Sequence, residues 1–395
     1  MSQTRLIRDT SGHKVTTLEL FFDLVFVYGI SQVTAYLAYD HSTLGFFRGL
    51  LLAALLWWAW VAYSWLGTSV RIDRGLVQTA MFVAMGAIMV LALLMPDFFD
   101  ETRGASVAMI AAAAYVVVRI MHLLLFYLAG RDDPGIVKAV LALARTVVIA
   151  AVLLIGGAYL GGTWQLILVA AAVAIDVIGP FLGRGEGWRL ALGHFAERHA
   201  LIVIIALGEG IVAIGVGAAG LPITPALLAT ALLGVALACV LWMCYFDGAS
   251  TALEEAVEER SGVDRVTTAR DVYSILHFLL VSGLILVALA MKSALKSADY
   301  GWQEPLAGYA AFALGLGAVQ FLGGLWLMRR RAGARTSVGE PLLALAAALL
   351  VPVGMTLPAM ATIAVTVVLA LGWRAVRAGE AEVSPPRTPA PPPPP

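Results

Sequence analysis

Apolar residues fall along this chain in blocks of about twenty, and the short segments between them carry most of the charge. Twenty residues rising about 1.5 Å each reach about 30 Å, the thickness of a bilayer's hydrocarbon layer. Twelve such blocks can be drawn, at 19–39, 45–65, 76–95, 105–128, 138–160, 164–183, 200–218, 225–247, 271–292, 305–328, 341–356 and 358–375. Only a helix satisfies every backbone N–H and C=O within such a segment without closing a barrel. The pattern therefore predicts an all-α fold, a polytopic transmembrane helix bundle. The last two blocks are short and share one apolar run. Pro352, Gly354 and Pro358 interrupt it, so it reads either as two spans or as a re-entrant hairpin.

This divides the chain into a polar segment 1–18, a first membrane half 19–183, a second half 184–375 and a tail 376–395. The first block is followed by no small-residue cleavage site and reads as a retained helix. Within the second half, residues 248–270 form a charged connector with Glu254, Glu255, Glu258, Glu259, Arg260 and Arg265. They predict a solvated, partly helical segment. The proline-rich tail is expected to be extended and disordered.

Composition agrees with a lipid-embedded chain. Hydrophobic residues make up 61% and charged residues 13%, and mean hydropathy is +0.88. Soluble domains carry about 25% charged residues, so lipid has to replace the missing polar surface. Net charge is zero, with no basic patch interleaved with aromatics, which argues against a nucleic-acid partner. The expected partners are the lipid bilayer and a small solute or ion, with oligomeric state left open. No motif calls for a cofactor. Cys239 and Cys244 lie on different faces of one helix and suit neither a disulfide nor a metal pair.

Lys and Arg are distributed unevenly. Segments on the side of the N-terminus hold 20 of them, and the opposite segments hold four, Arg48, Arg103, Lys292 and Lys296. The positive-inside rule then predicts a multi-pass protein of the bacterial cytoplasmic membrane with both termini cytoplasmic. We refer to the two sides as the basic face and the opposite face.

Arg119 and Arg145 remain, both inside spans. A charge at a helix centre costs about 2.5–3.5 kcal/mol, so such residues are expected to turn inward and pair. The candidate site residues are Glu19, Asp23, Arg119, His122, Arg145, Asp176, Glu197, His199, Glu209 and His277. Glu19 and Asp23 share a helix face one turn apart, as do Arg119 and His122. Asp23, Asp176 and Glu209 are expected to meet Arg119, Arg145 or a histidine, and Glu209 in particular to contact a basic residue. Such a cluster can fix helix register or form a site for an ion, a proton or a small solute. A metal held by Glu19, Asp23, His199 and His277 has no supporting spacing such as His-Glu-x-x-His. Gly208 to Gly215, with its recurring glycines, reads as a helix-packing face rather than a phosphate loop. Trp57 and Trp58 suit packing, and Trp65 suits the membrane interface.

Landmarks recur in order. Glu19 and Glu197 each open a span. Trp60-Val-Ala-Tyr63 parallels Trp242-Met-Cys-Tyr245. Arg74 and Arg270 precede spans that contain Gly86 and Gly283. This predicts a parallel six-plus-six internal duplication.

Three stretches carry a more specific likeness: Glu19-Leu-Phe-Phe-Asp-Leu-Val-Phe-Val, then His194-Phe-Ala-Glu-Arg-His-Ala-Leu-Ile-Val-Ile-Ile-Ala-Leu-Gly-Glu209, then Tyr273-Ser-Ile-Leu-His277 followed by Gly283. The chain resembles, over roughly 10–375, the bacterial low temperature requirement A family of integral membrane proteins. One departure is Gly210, where a serine is expected. The family is named for growth in the cold, which implies no reaction and no solute. The leading functional expectation is a transport-type protein moving a small solute or ion through a charged midplane site. The alternatives are a membrane enzyme or lipid-modifying protein using carboxylates and histidines near the inner face, and a non-catalytic membrane component. No nucleophile elbow, nucleotide fold or haem ligand pair points to a particular enzyme class.

Overall fold

The computed structural model describes residues 14–69, 75–182 and 190–382. The first half contains α1 (Thr17–Tyr39), α2 (Thr43–Ser69), α3 (Gly75–Leu94), α4 (Ala105–Gly130), α5 (Pro134–Leu160) and α6 (Gly162–Leu182). The second contains α7 (Leu192–Ala218), α8 (Pro225–Phe246), the short α9 (Ala249–Glu258) and α10 (Gly262–Ala269), then α11 (His277–Tyr300) and α12 (Gly308–Ala332). It closes with α13 (Gly339–Ala346), α14 (Leu350–Thr356) and α15 (Ala359–Glu382). Among the described residues, twelve helices or continuous helical runs are long and apolar enough to cross a membrane, with α13 and α14 together forming one of them. The chain is a multi-pass membrane protein.

Several boundaries differ from the hydropathy reading. Helix α7 starts at Leu192, well before the expected 200, so His194 and Arg198 lie inside the bundle. Helix α15 runs on to Glu382, so 376–382 is helix and not tail; residues 383–395 and 1–13 lie outside the described residues. The run 341–375 forms two helices. Their turn is held against the loop before α12 by Leu306 N–H to Gly354 O at 2.9 Å and Ala359 N–H to Glu304 O at 2.8 Å.

The connector is helical, as expected in part, but one face of it is buried rather than solvated. In α9, Ala249, Leu253 and Val257 recur every four residues and are fully buried, packed toward α7, α8 and α12. Its glutamates occupy the other face, as amphipathic periodicity requires. A π-helical turn, Arg270–Leu276, joins α10 to α11.

Helix α11 is the most enclosed span and packs on α7, α8, α12 and α1. It meets α12 through Gly283 and Gly317. A Cβ on either glycine would lie 2.7 Å from the other's carbonyl oxygen, so only glycine permits this approach. Gly208, Gly210 and Gly215 behave differently from the sequence expectation. Nothing lies within 4 Å of where their Cβ atoms would be, so they form no packing face. Helices α1 and α2 of the first half meet α7 and α11 of the second along a seam.

Candidate functional site

The seam opens at the basic face with four charged side chains on two helices. Thr16 caps α1. Its hydroxyl accepts from Glu19 N–H at 3.3 Å, and its own N–H donates to Glu19 Oε2 at 2.8 Å. This reciprocal capping box places Glu19 at the third helical position. Asp23 follows one turn later. On α7, His194 and Arg198 have the same spacing, so two acidic rungs face two basic ones. His194 Nε2 lies 2.9 Å from Glu19 Oε1. Arg198 Nη1 lies 3.8 Å from that oxygen, and Arg198 Nη2 donates to Asp23 Oδ1. Trp60 Nε1–H also donates to Asp23 Oδ1, at 2.8 Å. The Arg198 guanidinium lies over the Trp60 ring, 5.3 Å from its centroid. All four charged side chains are almost fully buried. Gly67 of α2 makes room for them, since a Cβ there would lie 2.4 Å from Glu19 Oε1.

Above this ladder lies a cluster of aromatic and imidazole rings. His199 packs within 6.1 Å, centroid to centroid, of Trp57, Trp60, Phe195, Tyr273 and His277. The π turn supplies its acceptors. The extra residue in such a turn frees backbone carbonyls from the usual ladder. Val272 O meets His277 Nδ1 at 3.0 Å, and Ser274 O accepts from Trp57 Nε1–H at 2.8 Å. Tyr245 OH completes His277 at Nε2, 3.0 Å away. Trp65 Nε1–H donates to Ser274 Oγ at 2.9 Å, so Trp65 is a seam residue as well as a ring near the membrane surface.

A second charged pair belongs to the first half. Arg119 Nη2 of α4 donates to Asp176 Oδ1 of α6 at 2.7 Å, and Tyr115 OH donates to Oδ2 at 2.8 Å. Arg119 Nε and Nη1 have no hydrogen-bond partner, and neither ring nitrogen of His122 has one of acceptable geometry, although that ring lies near the Ala62 backbone. Arg119 and His122 line a cavity of about 50 Å³ whose rim includes Val266, Thr267 and Arg270 from the connector. A larger vestibule of about 410 Å³ opens at the opposite face, lined by residues including Asp40, His41 and Tyr309. Between them, Phe26, Trp57, Trp60 and Phe278 surround a void of only about 20 Å³.

Three sequence candidates stand apart from these clusters. Glu197 is exposed and accepts from Val15 N–H at 3.0 Å. One position along the helix moves it about 100° away from the buried His194–Arg198 face. Arg145 is exposed on α5 and does not turn inward. Its long side chain is free to extend toward the membrane surface, which relieves the cost that pairing was expected to relieve. Glu209 is buried and hydrogen-bonds hydroxyls, while Lys292 acts on it only through its charge, outside ion-pair distance. Ser31 Oγ–H donates to it, and Thr34 lies beside the same carboxylate.

His194 and Arg198 are the site residues that reading for spans missed. Their i, i+4 spacing opposite Glu19 and Asp23 was the available signal, obscured by starting the seventh span too late. Arg329 and Glu340, which fall just outside the spans 305–328 and 341–356, form a buried pair at 2.6 Å between α12 and α13. Among the described residues, no three His, Cys, Asp or Glu side chains come together to hold a metal ion.

Residues 14–375 match the family described as bacterial low temperature requirement A protein (LtrA). The chain belongs to the low temperature requirement A family. An uncharacterised protein of Rhizobium meliloti (strain 1021) is 29% identical over 343 residues, covering 82% of this chain and 78% of that protein. No solved structure matches the chain. In this LtrA member, the three stretches that carry the family likeness converge on the seam. The first supplies Glu19 and Asp23. The second supplies His194, Arg198, His199 and Glu209. The third supplies Tyr273, Ser274 and His277.

Proposed function

We propose that this LtrA protein is a transport-type membrane protein that moves a small solute or ion along the seam between its two six-helix halves. The observation that carries this reading is the placement of the cavities. One reaches toward the basic face and one toward the opposite face. An aromatic plug from α1, α2 and α11 separates them. A protein that alternates access has to pass through a state closed in the middle, and rocking one half against the other would open either end.

The helix neighbours support a parallel duplication behind such a motion. Helix α1 packs on α2 and α3, and α7 packs on α8 and α11. In each half the third span packs on the fourth, the fourth on the fifth and the fifth on the sixth. Cross-seam polar contacts give the two halves a defined register: Glu19 with His194, Asp23 with Arg198, Glu209 with Ser31, and Trp57 and Trp65 with Ser274. We place the basic face in the cytoplasm of a bacterium, with both termini there.

Two measurements test this. The first is flux into proteoliposomes, over a panel of ions and small solutes. At least one should enter faster than into protein-free vesicles; no acceleration for any of them counts against transport and favours the enzymatic or structural alternatives. The second is labelling with a membrane-impermeant thiol reagent in a Cys239→Ser background. Thr267→Cys should react only from the cytoplasmic side and Ser42→Cys only from the other. Labelling of both from one side overturns the proposed topology.

A further inference from the structure

We propose that the cavity beside Arg119 and His122 binds a small monovalent anion of the size of chloride or formate. This rests on the transport reading for its role as a substrate site, but the binding itself does not.

The argument begins with unfilled hydrogen-bonding capacity. Arg119 is 2% exposed and spends only Nη2 on Asp176. Its Nε–H and Nη1–H have no acceptor. His122, also 2% exposed, has no hydrogen bond of acceptable geometry at either nitrogen. Leaving buried donors unfilled is unfavourable, and more so for charged groups. A partner inside the cavity removes that cost.

The lining sets the sign of that partner. Among the described residues its charged members are Arg119 and Arg270, and no Asp or Glu lines it. Asp176 is engaged on the far side of Arg119 by its Nη2 and by Tyr115. Arg270, at the rim, is held by Asp271 and stacked 3.7 Å from the Phe181 centroid. Apart from the Thr267 and Ser274 hydroxyls, the remaining walls are apolar or aromatic, including Trp58, Val61 and Phe126. A cation would find no carboxylate there. An anion would find a guanidinium edge with two free N–H groups, which is the arrangement that recognises carboxylates and compact anions. A volume of about 50 Å³ holds a few waters at about 10–15 Å³ each by the same measure, so a compact anion such as chloride or formate fits beside the guanidinium.

The test uses the purified full-length protein in detergent. Its thermal unfolding midpoint is measured in chloride, formate and gluconate at matched ionic strength. Chloride and formate should raise the midpoint relative to gluconate, with saturation, because binding to the folded state stabilises it. His122→Phe, which keeps a ring in place, should unfold near the wild-type midpoint in gluconate yet need about tenfold more chloride for half-saturation. Tenfold corresponds to one lost charge-assisted hydrogen bond. Equal midpoints in chloride and gluconate overturn the proposal. So does an equal chloride response in wild type and His122→Phe, which would mark a surface salt effect.

Should that variant fail to fold, iodide quenching of the wild-type tryptophans decides, since Trp58 and Trp65 line the cavity. Saturable quenching that chloride competes away supports the site; linear quenching that chloride leaves unchanged overturns it. Anion binding without flux of any solute leaves the site standing and sinks the transport reading. Flux of a cation or neutral solute without anion binding sinks the site alone.

Discussion

Removing Arg198 should strongly destabilise this protein, and removing Asp23 as well should cost little further. Arg198 is fully buried. It pairs with Asp23, sits 3.8 Å from Glu19 and lies over Trp60. In Arg198→Met the ring keeps an apolar neighbour, but Asp23 retains only the Trp60 N–H at 2.8 Å. Its other oxygen already lacks a partner. Stranding one member of a buried pair costs about 3–5 kcal/mol, and the lost cation–π contact adds about 0.5–2 kcal/mol. Glu19 is less affected because His194 and Thr16 still serve it. Asp23→Asn should cost less, about 2 kcal/mol, because the cation keeps Glu19 and the indole face. The double variant leaves no stranded partner, so its cost should fall short of the sum of the two by about 2–3 kcal/mol. The assay is reversible unfolding in mixed micelles by SDS titration, arranged as a double-mutant cycle. Additivity of the two single effects within about 0.5 kcal/mol would refute the pairing.

Gly67→Ala should destabilise the protein by about 1–3 kcal/mol in the same assay, because its methyl would push Glu19 off His194. Gly283→Leu should abolish a folded, monodisperse peak in size-exclusion chromatography by driving α11 from α12, whereas Gly208→Ala, with open space around it, should elute as wild type. Glu209→Gln should express and unfold within about 1 kcal/mol of wild type, because an amide still accepts from Ser31. A collapse in its yield would mean that an ion pair holds this residue after all. Arg145→Leu should also change the unfolding free energy by no more than about 0.5 kcal/mol, as for an exposed site, while Arg119→Leu, which strands Asp176, should lose about 3–5 kcal/mol.

Hydropathy alone determined that this is a bundle of about twelve spans, because length and apolarity are what a bilayer demands of a helix. It also marked Glu19, Asp23, Arg119, Asp176 and Glu209 as buried, since a charge in so apolar a span is costly unless it turns inward. It could not decide which groups meet. On a membrane helix the lipid-facing positions are as apolar as the packed ones; Ile149, Val152, Ile211 and Val212 are exposed, yet they read like core. The usual amphipathic signal that orients a helix is therefore weak, and Arg145 could not be told from Arg119 by spacing. Near the membrane surface, burial no longer follows hydropathy. His194 and Arg198 sit in a polar stretch that reads as loop, and only the packing of α7 against α1 and α2 draws them inside. Pairing was decided there too. Arg119 meets Asp176 because α4 and α6 bring them together, and Glu209 meets Ser31 because α1 places a hydroxyl where a cation was expected. These choices depend on helix rotation and register, which tertiary packing sets and a one-dimensional pattern of apolar blocks does not encode.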